Sequence, residues 1–381
     1  MNYELSSDQI LLKNTVREFA EGEIKPVISE LDEREEFSLN LVAEMGKLGL
    51  FGMNIPPHFG GQGMDALSYI LAVEELARVD NSIAATLAAH NSLGIGPIYN
   101  FGNKEQKEKY LPMLTTGNAL WSFGLTEPNA GSDSRGTQTK AVLENNSWII
   151  NGSKIFITNG ASKITLGATV QAVTNTTEDE TEYSAILVEH ETNGVTAKEM
   201  HGKLMWRASN TAELFYEDCI VPEENLLGKR GEGSKIMLKT LDDGRLSIAA
   251  LGLGLAQGAF EMALEYSKER KQFGRPISKF QAIAFKLADM ATKIEAARNM
   301  LYKACWLKDN EKPFAKEAAM SKLYCSEIAK EVADEAVQIF GGYGLMREYN
   351  IERFYRDQRI LQIGEGTSEI QRIVISRHLG L

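Results

Sequence analysis

One carboxylate, Glu365, stands between two glycines in LQIGEGTSEIQR, Leu361 to Arg372. Glycine lets a backbone come close to a ligand, so this carboxylate has the room that a base acting on carbon needs. A surface turn residue is the other reading. Thr367 is suited to cap a last helix whose inward positions would be Ile370, Ile373 and Val374, which puts Glu365 just ahead of a helix N-terminus. Burial would raise the pKa of Glu365 and the helix dipole would lower it, leaving a group able to ionise near neutral pH.

Two further stretches carry groups that could hold a ligand. FGLTEPNAGSD, Phe123 to Asp133, gathers turn residues and hydroxyls. It can offer backbone N–H groups and the Thr126 and Ser132 hydroxyls, or serve only as a well-capped surface loop. In KIFITNG, Lys154 to Gly160, side chains two apart share a strand face, so Phe156 lies beside Thr158. An aromatic plane next to a hydroxyl suits a flat heteroaromatic cofactor; a core Phe with a solvated Thr gives the same pattern. His58, His90, His190, His201 and His378 are scattered, with no HExxH and no Cys/His pairing, so no metal site is expected. GLGLAQG, Gly252 to Gly258, follows no strand and reads as close helix packing, not as a phosphate loop.

The elements that must position these residues fall into three regions: 1–121 helical, 122–232 a mostly antiparallel β unit, and 233–381 a helical bundle. Ser6 and Gln9 have capping-box spacing, and Val16, Phe19, Ala20 and Ile24 follow the helical period. Helices are expected through YILAVEELARVD and IAATLAAHNSL. From Trp121 the pattern becomes strand-like, with a hairpin expected at Asn151-Gly152 inside WIINGSKIFIT, and further strands in TLGATVQAV, YSAILVEH, GVTAKEM and TAELFYEDCIV. Beyond GKRGEGSKI, Ile283, Leu287, Met290, Ile294, Ala297 and Leu301 return to helical spacing, as do Cys325, Ala329, Val332, Ala336 and Ile339. The order helix, sheet, helix is α+β and mostly α, without the alternation of a dinucleotide-binding fold.

A net charge of -11 opposes nucleic acid as a partner. Cys219, Cys305 and Cys325 are odd in number and lack CxxC spacing, which fits buried, reduced thiols. The N-terminal segment MNYELSSDQILLKNTVREF has no signal or transit character, and no uncharged apolar stretch reaches spanning length. A cytoplasmic protein with no membrane span is expected.

Taken together, FGLTEPNAGSD, KIFITNG, WRASNTAELFYEDCIVPEENLLG, ERKQFGRPISKFQ, QIFGGYG and EGTSEIQR resemble the acyl-CoA dehydrogenase family, in its order and spacing, over essentially the whole chain. The resemblance implies an N-terminal helical domain, a middle antiparallel β domain and a C-terminal four-helix bundle. It implies FAD, an acyl-CoA substrate, an electron-transfer flavoprotein as partner and a homotetramer built as two dimers. Phe123, Leu125, Thr126 and Ser132 resemble the flavin loop, with Ser132 also near the substrate. Phe156 and Thr158 match the pair along the isoalloxazine, where the family more often has Trp at the first position. Arg270, Phe273 and Gln281, with Gln338, Gly341 and Gly342, match residues gripping the ADP half of FAD, partly from a neighbouring subunit. Thr367 and Glu369 match further cofactor contacts.

On the same resemblance Glu365 is the catalytic base, and Gly244 holds the position where some relatives carry the base instead. Asp242, Arg245, Gly364, Gly366 and His90 match positions beside the substrate. Gly364 stands where many straight-chain enzymes have Tyr, so a short straight, branched or cyclic acyl group is implied. His90 falls at the floor of the acyl cavity, where a satisfied core histidine and a chain-length stop are both open. An acyl-CoA oxidase or enoyl-CoA reductase on this scaffold is the alternative enzyme. A non-dehydrogenase relative that binds DNA is opposed by Glu365 and by the charge.

Overall fold

Capping chemistry starts the chain where the sequence places it. In the computed structural model, which describes residues 4–178 and 180–381, Ser6 and Gln9 exchange reciprocal bonds of 3.2 and 3.0 Å ahead of α1 (Ser7–Phe19). Residues 1–3 of the N-terminal segment MNYELSSDQILLKNTVREF lie outside the described residues. Then follow α2 (Ile28–Arg34), α3 (Leu39–Lys47), α4 (Ala66–Ala77), α5 (Asn81–Ala88), α6 (Gly96–Phe101) and α7 (Lys104–Leu114). The helix expected through YILAVEELARVD stops at Ala77. Asp80 instead caps the next one, its carboxylate accepting from the Ile83 N–H at 2.9 Å. Helix α5 runs on into a wider π-helical stretch, Ala89–Ile95, which carries His90 and Leu93 inward.

The middle region is one eight-stranded sheet. Its strands are β1 (Leu120–Gly124), β2 (Lys140–Glu144), β3 (Ser147–Thr158), β4 (Thr165–Thr176), β5 (Thr181–Glu189), β6 (Val195–Glu199), β7 (Thr211–Pro222) and β8 (Leu226–Leu227). They run in the order β6-β7-β3-β2-β4-β5-β8, with β1 beside β4; the pairings of β1 and β2 with β4 are parallel and the rest antiparallel. The hairpin expected at Asn151-Gly152 is not there: those residues lie within the continuous strand β3. The turn falls at Asn145-Asn146, both at positive φ (49° and 60°), as a two-residue loop between paired strands requires. Gly152 has a different reason to be glycine, since a Cβ there would lie 2.5 Å from Thr139 Oγ1.

The last region holds α8 (Gly233–Glu269), the short hairpin β9 (Lys271–Gln272) and β10 (Arg275–Pro276), then α9 (Gln281–Asp309), α10 (Ala315–Phe340), α11 (Ile351–Asp357) and α12 (Ser368–His378). By length and apolar composition α8 could cross a membrane, but most of its apolar window is buried against the rest of the chain. GLGLAQG is part of it, and its glycines are pressed close. A Cβ on Gly254 would meet Glu74 O at 2.3 Å, and one on Gly258 would meet Arg78 O at 2.0 Å. One large core joins α1, α4 and α5 to α8, α9 and α10. The three cysteines are buried and free.

Candidate active site

Thr367 caps α12, its hydroxyl accepting from the Ile370 N–H at 3.2 Å, so the chain must turn sharply just before it. Glu365 is in that turn at φ 52° and Gly366 at φ 93°. A non-glycine residue at positive φ is strained, and such strain is retained where the surroundings fix it. The inward face of α12 differs from the expected one: Ser368 and Gln371 are buried, whereas Ile373 is 43% exposed. The polar pair faces in because Gln371 holds the turn, donating to Gly366 O at 2.9 Å and Glu365 O at 3.3 Å.

The carboxylate of Glu365 lies over α8. A Cβ built on Gly244 would come within 1.9 Å of Glu365 Oε2 and 3.0 Å of Leu93 Cδ2, so only glycine leaves this carboxylate its place. The residue as a whole is partly exposed, yet Oε2 is sealed from solvent and has no hydrogen-bond partner among the described residues. Burial pushes Glu365 up to about 7, against the pull of the Lys322 and Arg245 charges. A carboxylate desolvated but unpaired, and titrating near neutrality, is a stronger base than one in water.

Around it, Arg245 is buried on α8 and donates to Asp242, while its Nε lacks a partner among the described residues. Burial raises Asp242 and lowers Arg245. Gly364 leaves modest room, as the nearest atoms a Cβ there would meet are those of Ile360, at ordinary distance. His90 is fully enclosed: its Nε2 bonds Leu114 O at 2.8 Å and its Nδ1 accepts from the Trp121 N–H at 3.1 Å. Burial pushes it down to about 4, so the ring is neutral and both nitrogens are taken by main chain.

FGLTEPNAGSD and KIFITNG are brought together. Thr126 O accepts from the Ile155 N–H at 2.9 Å, and Lys154 reaches under the loop to Leu125 O at 3.3 Å and Glu127 Oε1 at 2.6 Å. Both members of this ion pair are buried, and removing one would leave an uncompensated charge costing about 3–5 kcal/mol. One extra residue bulges β3 between Lys154 and Ile157, putting Phe156 at φ 60° with its side chain 62% exposed. Ile157 is buried between Phe156 and the half-buried Thr158, and Ser132 is exposed in its loop.

The remaining candidates form an open surface. Phe273, at the tip of the β9–β10 hairpin, is 93% exposed. Arg270 stacks its guanidinium over Tyr343, 5.3 Å from the ring centre, joining the hairpin to the turn that carries Gly341 and Gly342. Those glycines, Gln338 and Gln281 are exposed, and added Cβ atoms at Gly341 and Gly342 would meet nothing. Among the described residues no hydrogen bond or ring contact ties this surface to the Phe123–Asp133 loop.

Three family models divide the chain: the acyl-CoA dehydrogenase N-terminal domain over residues 6–118, its middle domain over 122–219 and its C-terminal domain over 231–380. The chain belongs to the acyl-CoA dehydrogenase family. It is 48% identical over 99% of both chains to the short-chain specific acyl-CoA dehydrogenase of Clostridium acetobutylicum. The butyryl-CoA dehydrogenase of Megasphaera elsdenii superposes at TM-score 0.96, with 44% identity and 100% of each chain covered. A chain from a structure described as the electron transferring flavoprotein of Acidaminococcus fermentans matches at TM-score 0.96 and 48% identity, covering 100% of this chain and 99% of that one. Solved acyl-CoA dehydrogenase relatives carry FAD or its reduced form.

Within this acyl-CoA dehydrogenase, three residues behind the base went unnoticed in the sequence. On α10, Lys322 donates to Gly366 O at 2.7 Å, Ser326 to Leu361 O at 2.8 Å, and Glu327 accepts from Ser368 at 2.9 Å and Gln362 at 2.7 Å. The available signal was a lysine three positions ahead of Cys325, on an otherwise apolar helical stripe.

Proposed function

We propose that this acyl-CoA dehydrogenase removes an α-proton and a β-hydride from a short-chain acyl-CoA, giving the 2-enoyl-CoA, with Glu365 as the base. The observation that carries the reading is the Glu365 carboxylate: buried, unpartnered at Oε2, titrating near 7 and laid over Gly244. The α C–H is a weak acid, so charge developing on the thioester oxygen must be met by donors. The Glu365 backbone N–H serves there, and the turn through Gly364 and Gly366 keeps side-chain bulk out of the way.

The residues present fit FAD. Phe156 offers an exposed aromatic face, Thr126, Ser132 and Thr158 offer hydroxyls, and Arg270 with the bare backbone of Gly341 and Gly342 suits a diphosphate. When bound, FAD supplies the hydride acceptor. Phe123 and Leu125 shape the loop, Phe273, Gln281 and Gln338 take the ADP half, and Thr367 and Glu369 lie at the start of α12 as further contacts. Asp242, Arg245 and Gly364 border the acyl group; His90 acts as an apolar stop at the cavity floor, since its nitrogens are engaged.

The name of the Clostridium relative and the butyryl-CoA dehydrogenase match support the short chain, and the flavoprotein structure supports an electron-transfer flavoprotein as acceptor. The exposed Phe273, Phe285 and Leu345 support a homotetramer in which a second copy covers the open surface. The enzyme works in the cytoplasm, its domains dividing near 121 and 232. The test is anaerobic flavin bleaching by butyryl-, isobutyryl- and isovaleryl-CoA with the wild type and Glu365→Gln. Butyryl-CoA is expected to bleach fastest, and the variant to lose roughly 10³-fold or more. Bleaching of the variant at near wild-type rate would sink the assignment.

A further inference from the structure

Lys322 is fully buried, among the largest side chains that are, and its ammonium donates to Gly366 O at 2.7 Å, one residue past Glu365. Among the described residues no carboxylate forms an ion pair with it. A buried ammonium held by one carbonyl is expensive, and a neutral amide could bond that carbonyl at less desolvation cost. A positive charge at this place therefore calls for a use beyond the hydrogen bond. The adjacent group of opposite charge is Glu365.

The rest of the α10 face acts on the same turn. Ser326 bonds Leu361 O, and its neighbour Glu327 takes both Gln362 and Ser368, so two adjacent residues of one helix clamp the segment from Leu361 to Ser368 at both ends. Lys322 takes the middle. The backbone it grips is the strained one, Glu365 at φ 52° and Gly366 at φ 93°.

We propose that Lys322 is a positioning residue for the base: it fixes the Glu365–Gly366 turn through the Gly366 carbonyl, and its charge favours the ionised form of Glu365. This rests on Glu365 being the base. Other charged or titratable groups face Glu365 or Lys322 from each neighbouring element: Arg245 on α8, Tyr69 on α4, Glu327 on α10 and Glu369 on α12; Asp242 and Asp243 on α8 lie one step further out, beside Arg245 and Tyr69. Of these, Arg245 is already paired with Asp242, so Lys322 is the cation not engaged by another carboxylate. Burial lowers Lys322 to about 8, which leaves it mostly protonated at neutral pH.

The experiment is stopped-flow flavin bleaching by butyryl-CoA as a function of pH, on the FAD-loaded full chain, for wild type, Lys322→Met, Lys322→Gln and Glu365→Gln. Lys322→Met is expected to bind butyryl-CoA within a few fold of wild type and to bleach ~10²-fold more slowly, as a base displaced by about 1 Å would. The pKa that governs bleaching is expected to rise by about one unit in both Lys322 variants. Lys322→Gln, which keeps a donor, should recover part of the rate and none of the pKa change. A normal pH profile in Lys322→Gln overturns the electrostatic role, also if Lys322→Met does not retain FAD. A slower Lys322→Met with an unmoved profile reduces Lys322 to packing and likewise overturns the proposal. If Glu365→Gln bleaches normally, the base assignment itself fails, whatever Lys322 does; if it is inactive and the Lys322 profiles are unchanged, only the positioning role fails.

Discussion

The base turn and the surface around Phe273 are two halves of one proposed site, built on opposite terms. Leu361–Ser368 is clamped by α10, overlaid on α8 and tied down by Gln371, so its geometry is complete within one chain. Arg270, Phe273, Gln281, Gln338, Gly341 and Gly342 are exposed, with bare glycine backbone and a phenyl ring 93% in solvent. Chemistry that depends on placement within an ångström is built on rigid, buried support. Binding that spreads over a long cofactor can be shared with another copy.

The largest effect should come from crowding the buried half. Gly244→Ala puts a methyl group where Glu365 Oε2 now lies, 1.9 Å from the new Cβ. The carboxylate must move, and flavin bleaching is expected to fall ~10²-fold. The helix itself should tolerate alanine, which favours a helix interior by up to ~1 kcal/mol over glycine. Normal FAD content and melting temperature with slow bleaching would place the defect at the base; unchanged bleaching would show that the carboxylate is not held over Gly244.

A second effect follows from the burial that raises Glu365 from 4.5 to about 7. Only the carboxylate can take a proton, so bleaching should drop about tenfold per pH unit below 7 and level off above it. The stability sign is the reverse of the usual acidic case. An acid whose folded-state pKa is raised costs stability as pH climbs from 4.5 to 7, because the folded chain resists its ionisation. Glu365→Gln should therefore gain on wild type across that window, by up to about 3 kcal/mol, and match it below pH 4.5. Denaturant melts at the two ends check this, and equal differences at both would contradict a raised pKa.

The two halves also differed in how far the sequence revealed them. Helical periodicity found the α8–α10 core and strand runs found the sheet, because both record burial. A local turn signal at Asn151-Gly152 ignores register: Asn145-Asn146 tolerates the same positive φ, and β3 needs Asn151 opposite Lys140 of β2 and Gly152 opposite Tyr216 of β7. Hydrophobicity points Ile373 inward, whereas Gln371 is the buried residue and holds the turn. Glu365 stood out by its glycines, but Gly244, 121 positions earlier, and Lys322 became meaningful only once folding set them against it. Long-range contacts leave no local pattern to read.

The smallest effect should come from the open half, and its form matters more than its size. Phe273→Ala removes a ring that is 93% exposed and meets Phe280 edge-on, 5.9 Å between centres, so the fold should lose little. If a second copy covers this surface, cofactor retention and assembly are linked, and each depends on concentration. The variant should release FAD a few fold more readily than wild type on dilution, with the difference vanishing at high protein concentration. Its acid limb near pH 7 should not move, because nothing at Phe273 touches Glu365. Sedimentation and flavin fluorescence over a dilution series check the linkage. FAD loss independent of concentration would mean that each chain completes this half of the site alone.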